Sequence, residues 1–118
     1  MVRFWVELLL IIKPPSKTMF VHHVFFFLKN PDSAADRDQL VAGLQTLTAL
    51  EGVKLAHIGK VADTHRGVID RSYSVSWLML FDTKAEQDVY QDHPIHHKFV
   101  ENCAHLWEKV IVYDSDDI

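Results

Sequence analysis

The sequence has little cysteine, no excess of positive charge and no long apolar run, and each shortage removes a class of function. Its 118 residues contain one cysteine, Cys103, so no internal disulfide can form. We expect this thiol to be an inert core residue of a cytoplasmic protein. Twelve Lys and Arg against 16 Asp and Glu give a formal charge of −4. Because no basic field exists for phosphates, we expect no nucleic-acid partner.

The most apolar run, Phe4–Ile12, is too short to cross a bilayer. It is interrupted by Glu7, and a spanning helix needs about 20 apolar residues. The following KPPSKT also lacks the small residues of a signal-peptide cleavage site. We therefore expect no membrane partner, and we predict residues 1–18 to be an apolar N-terminal extension. We expect this extension to pack on its own domain or on a partner subunit, with Pro14 and Pro15 as its hinge.

Apolar β-branched and aromatic residues predict four strands. The first, FVHHVFFFLK from Phe20, ends at Asn30-Pro31-Asp32 and is apolar on both faces, so it must be covered on both sides. His22 shares one face with Val24, Phe26 and Leu28, and His23 shares the other with Val21, Phe25 and Phe27. The other predicted strands cover residues 53–63, 72–82 and 107–114. On the strand over residues 72–82, Tyr73 and Val75 are predicted to share the face of Trp77 and Met79.

Two capping signals predict helices between the strands. Ser33 can cap a helix that carries Leu40, Leu44 and Leu47 and stops at Gly52. Thr83-Lys-Ala-Glu86 is a capping box that begins a second helix. We expect this helix to break at His93-Pro94 and to resume toward Phe99 and Cys103, because the residue before proline avoids the helical region.

The order strand–helix–strand–strand–helix–strand is the split βαβ arrangement of ferredoxin-like α+β domains. It predicts a four-stranded antiparallel sheet with both helices on one face. The opposite face would then expose a contiguous apolar patch, which soluble monomers rarely tolerate. We therefore predict a homodimer that packs sheet against sheet through Val21, Phe25, Phe27, Leu78 and Leu80.

Four segments resemble, in the same order, the stress-responsive A/B barrel (Dabb) family of dimeric α+β barrels. They are MFVHHVFFFLK, YSVSWLMLFD, YQDHPIHHKFV and WEKVIVYD. The resemblance covers roughly residues 19–114 and implies a domain over residues 19–118 that dimerises into a barrel. Met19 resembles the usual start of the family.

The family resemblance implies little about chemistry, because most members have no established activity and several are associated with stress responses. One plant member is a polyketide cyclase that uses histidine and tyrosine without metal or cofactor. The resemblance places His22, Tyr90 and His96 at positions matching that enzyme. Val75 stands where the cyclase has a further pocket histidine on its third strand.

The predicted elements place these three polar residues around an apolar cleft between sheet and helices, which is typical of small-molecule sites. A neutral histidine beside a tyrosine can take a proton from carbon next to a carbonyl while the phenol holds the oxyanion. We therefore take His22, Tyr90 and His96 as candidate catalytic residues. The predicted lining is Val24, Phe26, Val75, Trp77, Met79, Phe99, Val110 and Val112.

The same residues also permit structural interpretations. His96 can cap the resumed helix, the Tyr90 hydroxyl can bond locally, and His22 can bond a backbone carbonyl. The segment HPIHH suggests a metal site, but Pro94 interrupts the helical spacing of His93, His96 and His97, and a structural zinc needs four ligands. We predict neither a metal nor a cofactor.

Three classes of function therefore remain. The leading hypothesis is a dimeric protein of unassigned activity that binds a small hydrophobic molecule between sheet and helices. The second is a cofactor-free acid–base enzyme, similar to a polyketide cyclase or an isomerase, that uses histidine and tyrosine. The third is a structural or interaction module. Both ligand hypotheses fail if Trp77, Phe26 and Phe99 fill the cleft completely.

Overall fold

The computed structural model describes residues 18–118, so the predicted extension lies outside the described residues except for Thr18. The chain runs through β1 (Phe20–Leu28), α1 (Ala34–Gln45), β2 (Leu55–Gly59), β3 (Val75–Phe81), α2 (Lys84–Gln91), α3 (Pro94–Cys103) and β4 (Trp107–Ser115). A single 3₁₀ turn, Ala104–Leu106, joins α3 to β4. The strands form one antiparallel sheet in the order β2-β3-β1-β4. The predicted ferredoxin-like α+β fold is confirmed.

The sheet has two distinct faces, because every second side chain points to the same side. The covered face lies under the helices and buries His22, Val24, Phe26, Trp77 and Met79. The register places three groups of residues on the opposite, open face: Val21, His23, Phe25 and Phe27 of β1; Leu78 and Leu80 of β3; and Leu55, His57, Ile111 and Tyr113 of β2 and β4.

The helix starts follow the predicted caps. The Ser33 hydroxyl accepts a hydrogen bond from the Asp36 amide, and the Thr83 hydroxyl accepts one from the Glu86 amide. The end of α1 differs from the prediction, because the helix stops at Gln45 and residues 46–52 continue as turns. Leu47 lies in this turn region, and its side chain is still fully buried. Gly52 has a φ of 91°, a backbone conformation that residues with a side chain rarely adopt. The leucine pattern therefore identified buried positions rather than a continuous helix.

The helices contact each other closely over the covered face. A Cβ placed on Gly43 of α1 would lie 2.7 Å from Cys103 Sγ and 3.0 Å from the Phe99 ring, both on α3. Cys103 is buried, and burial raises the pKa of its thiol. Gly43 thus permits the close approach of α1 and α3, as glycine does wherever two elements nearly touch.

The sequence placed Tyr73 on the covered face, and that prediction is wrong. Because β3 begins only at Val75, the alternation of the strand does not extend back to Tyr73. The Tyr73 ring instead contacts Phe25 of the open face, with ring centroids 5.0 Å apart.

Within residues 18–118, no helix is both long enough and apolar enough to span a membrane.

Candidate functional site

The three histidines of the segment HPIHH have three different environments. His93 lies between α2 and α3, and its Nδ1 accepts a hydrogen bond of 3.0 Å from the Ile95 amide, so His93 is the N-cap of α3. His96 points inward and is buried, whereas His97 is exposed. The interpretation that His96 caps the helix is therefore wrong, and the break at Pro94 directs His96 toward the sheet.

Tyr90 sits in the last turn of α2 and is only 2% exposed. Its hydroxyl oxygen accepts a hydrogen bond of 3.1 Å from Trp77 Nε1 on β3. Burial raises the pKa of Tyr90 to about 12, although the bond from Trp77 opposes this shift. The phenol is thus neutral at physiological pH, and the bond from Trp77 leaves its own proton to donate to another group.

His96 lies edge-on to Tyr90, with ring centroids 4.9 Å apart. Gln87 Nε2 donates to Gln91 Oε1 at 2.9 Å, and Gln91 Nε2 lies 3.3 Å from His96 Nε2. Burial lowers the pKa of His96, the positive charges of His97 and His22 lower it further, and Asp92 opposes them. His96 is therefore neutral, with Nε2 accepting from Gln91 and the proton on Nδ1.

His22 of β1 is 6% exposed and carries a carboxylate partner. Its Nδ1 lies 2.5 Å from Asp114 Oδ1, because the antiparallel register of β1 and β4 sets these two residues opposite each other. The carboxylate only accepts hydrogen bonds, so the ring in its neutral form would carry its proton on Nδ1 and present Nε2 as an acceptor. The His22 ring lies 6.2 Å from that of Tyr90.

These three side chains border a cavity of about 170 Å³ that opens between α3 and β4. Of the eight predicted lining residues, six line it: Val24, Phe26, Trp77, Phe99, Val110 and Val112. Met79 does not reach the cavity because it is fully buried in the core. Val75 instead borders a separate depression beside Arg37 and Ile58.

Sequence reasoning missed Asp114, Gln91, Val100 and Trp107. Asp114 was included in the fourth strand, and pairing that strand with β1 in the observed register would have set it opposite His22. Trp107 and Val110 both border the cavity because a register shift between Phe27 and Leu28 inserts one residue into β4. Such a bulge leaves no reliable trace in a single sequence.

The site contains no arrangement suited to a metal. Within the part of the chain that the structure describes, no group of three or more His, Cys, Asp or Glu side chains is placed to hold an ion. No buried side-chain nitrogen or oxygen in residues 18–118 lacks a hydrogen-bond partner. The polar groups of the site are therefore fixed by the protein itself, which leaves specific donors and acceptors for a ligand.

The chain is similar to several solved structures. A Dabb family protein with a ferredoxin-like fold from Mesorhizobium loti is 25% identical, with a TM-score of 0.71 over 86% of this chain and 99% of that one. A dimeric ferredoxin-like protein of unknown function from Thermobifida fusca is 18% identical, with a TM-score of 0.68 over 85% and 92%. The hydroxynitrile lyase of Passiflora edulis is 22% identical, with a TM-score of 0.70 over 89% and 96%. No protein of curated function matches this chain.

The stress-responsive A/B barrel domain family matches residues 20–117, which is most of the chain. This chain therefore belongs to the stress-responsive A/B barrel family, and the resemblance drawn from its four motifs is confirmed.

Proposed function

We propose that this member of the stress-responsive A/B barrel family binds a small, mostly apolar molecule with one or two oxygen atoms between its sheet and helices. One observation carries the proposal. His22, Tyr90 and His96 converge on an apolar cavity, and each is held by a second side chain: Asp114, Trp77 and Gln91 respectively. Such an arrangement of few oriented polar groups in an apolar wall is typical of small-molecule sites.

The cavity limits the size of the ligand. Its volume of about 170 Å³ is close to the roughly 150 Å³ of apolar cavities that hold benzene. Trp77, Phe26 and Phe99 therefore line the space without filling it, which is the condition on which both ligand hypotheses depend. A single ring with a short oxygen-bearing substituent matches this volume.

The hydrogen-bonding pattern indicates where the ligand oxygen would lie. Within residues 18–118, the Tyr90 O–H and the Nδ1–H of the neighbouring His96 donate to no protein group. A ligand carbonyl oxygen can accept from these donors, whereas a ligand hydroxyl can donate to Nε2 of His22. An aromatic ketone satisfies the first requirement, and an aromatic secondary alcohol, whose oxygen accepts and whose O–H donates, can satisfy both.

The test is a titration of acetophenone and 1-phenylethanol, followed by chemical shifts of the protein or by calorimetry. We expect Tyr90→Phe to weaken acetophenone binding about five- to tenfold, since it removes one hydrogen bond worth about 1 kcal/mol. Tyr113→Phe, on the open face, is the matched control and should change nothing. Failure of both compounds to bind at millimolar concentration, or equal binding by Tyr90→Phe, would overturn the proposal.

A second function, cofactor-free acid–base catalysis, is favoured by the His22–Asp114 pair. Asp114 fixes the ring of His22 so that Nε2 can remove a proton from carbon next to a ligand carbonyl, and Tyr90 can donate to the enolate oxygen that forms. His22 can then return to the carbon either that proton or one that its ring has exchanged with water. The hydroxynitrile lyase of Passiflora edulis has this fold, which supports the view that such a scaffold can carry catalysis.

Exchange of the methyl protons of acetophenone in D₂O measures this activity directly. We expect the protein to accelerate exchange, and His22→Gln or Asp114→Asn to remove most of the acceleration while acetophenone still binds. Asp116→Asn, in the same C-terminal segment, is the control. Binding without accelerated exchange would leave the binding proposal standing and exclude the catalytic one.

We also infer that the open face binds a second copy of this chain. Its five predicted interface residues, Val21, Phe25, Phe27, Leu78 and Leu80, remain partly solvent-accessible in the protomer. Several solved proteins with this fold are described as dimeric. Sedimentation should therefore give a dimer at micromolar concentration, and Leu78→Asp should give a folded monomer. A monomeric wild-type protein would contradict this assembly.

The domain boundary and the cellular location are part of the same proposal. We infer that residues 19–118 form the stress-responsive A/B barrel domain and that residues 1–18 are an accessory extension, so their deletion should leave the dimer intact. The single, buried Cys103 supports a cytoplasmic location. An insoluble or monomeric deletion variant would show that the extension belongs to the folded unit, which gel filtration measures.

A further inference from the structure

We infer that the dimer interface is pH-sensitive, so that mild acid separates the two copies through His23 and His57 on the open face. This inference rests on the proposed homodimer and adds a regulatory property to it. Two histidines on the surface proposed to meet the partner would become charged among mostly apolar side chains.

The two histidines form a row across the open face. Leu78 of β3 pairs with His23 of β1 on one side and with His57 of β2 on the other. The ring of His23 contacts that of Phe25, with centroids 4.2 Å apart, and its Nε2 lies 2.8 Å from the Ser76 hydroxyl. His23 thus lies among the residues proposed to meet the partner, and within residues 18–118 the Ser76 hydroxyl is the only hydrogen-bond partner of its ring.

No carboxylate in residues 18–118 forms an ion pair with either histidine. The two histidine–carboxylate pairs of the described chain are His22–Asp114, on the covered face, and His65–Asp63, in a loop. Asp70 accepts from the amide and hydroxyl of Ser72, and Lys54 pairs with Asp82. Asp70 borders the open face beside Phe25, Lys109 lies over the Phe27 ring, and Tyr73 and Tyr113 are the other titratable groups there. Protonation of His23 would therefore bring a charge that has no ion-pair partner in residues 18–118 into the interface.

The charged form of His23 is already disfavoured in one protomer. Burial lowers the pKa of His23, and the positive charges of His57 and His22 lower it further. A partner sheet would remove more water from the same ring. In a two-fold symmetric dimer the open face of one protomer packs against the open face of the other. The free-energy cost of charging His23 therefore arises twice.

The sign follows from proton linkage. If dimerisation lowers the pKa of His23, the monomer binds protons more strongly than the dimer does. The dimer is then stable while His23 is neutral and loses stability as pH falls through the pKa of His23 in the monomer. Acid should therefore raise the dimer dissociation constant.

Sedimentation velocity over a dilution series at pH 7.5, 6.5 and 5.5, at constant ionic strength, tests the inference. We expect the dissociation constant to rise by about tenfold between pH 7.5 and 5.5, because the dimer contains two copies of His23 and a shift of one pKa unit at each copy contributes a factor that approaches ten only below both pKa values. Circular dichroism should show a folded protein throughout. The double variant His23→Gln, His57→Gln should remain dimeric with most of the pH dependence lost.

His105→Gln, an exposed histidine on the 3₁₀ turn, is the matched control and should retain the full pH dependence. A dissociation constant that is unchanged with pH overturns this inference but leaves the dimer proposal intact. An unchanged pH dependence in the double variant overturns the role of these two histidines. A monomer at pH 7.5 overturns the dimer and the inference together. The single variant His23→Gln, which can still bond Ser76, serves if the double variant does not fold.

Discussion

His22 and His23 are adjacent in the chain and have opposite environments. The side chain of His22 is buried under the helices and bonds the carboxylate of Asp114, whereas His23 lies partly buried on the open face and bonds the neutral hydroxyl of Ser76. Strand alternation alone separates them. One strand therefore supplies both the surface proposed to bind a ligand and the surface proposed to meet a second copy, and residue type does not reveal on which surface a histidine lies.

The two faces also differ in how much of their apolar surface the protomer itself buries. On the covered face, Met79, Leu40 and Leu44 have no solvent exposure. On the open face, Leu55 is 49% exposed and Tyr113 is 65% exposed. The covered face is therefore complete within one chain, while the open face retains apolar surface available for a partner.

The largest expected effect comes from placing one carboxylate on each face. Met79→Asp should cost more than about 4 kcal/mol of the free energy of unfolding, because it buries an unpaired charge in the core. Leu78→Asp, one residue earlier, should leave the circular dichroism spectrum unchanged and convert the dimer to a monomer. If both variants unfold, the open face is needed within the protomer and the comparison fails.

The next effect tests how closely the helices pack over the covered face. Gly43→Ala should cost about 1–3 kcal/mol of the free energy of unfolding, because the new methyl group meets Cys103 and Phe99. Gly67→Ala is the matched control, since apart from its two chain neighbours no atom of residues 18–118 lies within 4 Å of its added Cβ, and it should change stability by less than about 0.5 kcal/mol. Equal denaturant midpoints for the two variants would show that the α1–α3 contact relaxes freely.

A buried hydroxyl and an exposed one should also differ. Tyr90→Phe should cost about 1–3 kcal/mol of unfolding free energy, because Trp77 Nε1 then remains buried without an acceptor. Tyr113→Phe should cost less than about 0.5 kcal/mol. Urea denaturation at neutral pH measures the unfolding free energy of both variants. An unchanged unfolding free energy in Tyr90→Phe would mean that water or another group replaces the hydroxyl as the acceptor for Trp77 Nε1.

The smallest effect is the pH dependence of folding through His96. Because the folded state lowers the pKa of His96, the unfolded chain binds a proton more readily as pH falls below about 6.5. This group should therefore lower the unfolding free energy in acid by at most about 1.4 kcal/mol per pH unit. His96→Gln should flatten the dependence between pH 7.5 and 5.5, and His105→Gln should not. Denaturation on monomeric Leu78→Asp keeps this test independent of the dimer.

The sequence predicted the parts of the structure that depend on local pattern. The apolar alternation of Phe20–Leu28 and the caps at Ser33 and Thr83 were all found. The break at His93-Pro94 was found as well. Each of these signals acts over a few neighbouring residues, so one sequence is enough to see it.

Features set by contact between distant segments were missed or misplaced. Gln91 reaches His96 because two helices meet at an angle, and Trp107 reaches the cavity because of a bulge opposite β1. The Tyr73 side chain lies against the open face because β3 starts only at Val75, after Tyr73. Loop geometry and strand register, rather than residue preference, decided these positions.

The sequence alone determined an alternating strand with two apolar faces, and with it the fold, the covered core and the need to cover a second face. Only the tertiary structure decided which polar partner each histidine obtained and how much space Trp77 left beside Tyr90. The physical reason is range. Alternation and capping arise from backbone geometry over a few residues, whereas hydrogen bonds and cavities depend on side chains that the fold brings together from across the chain.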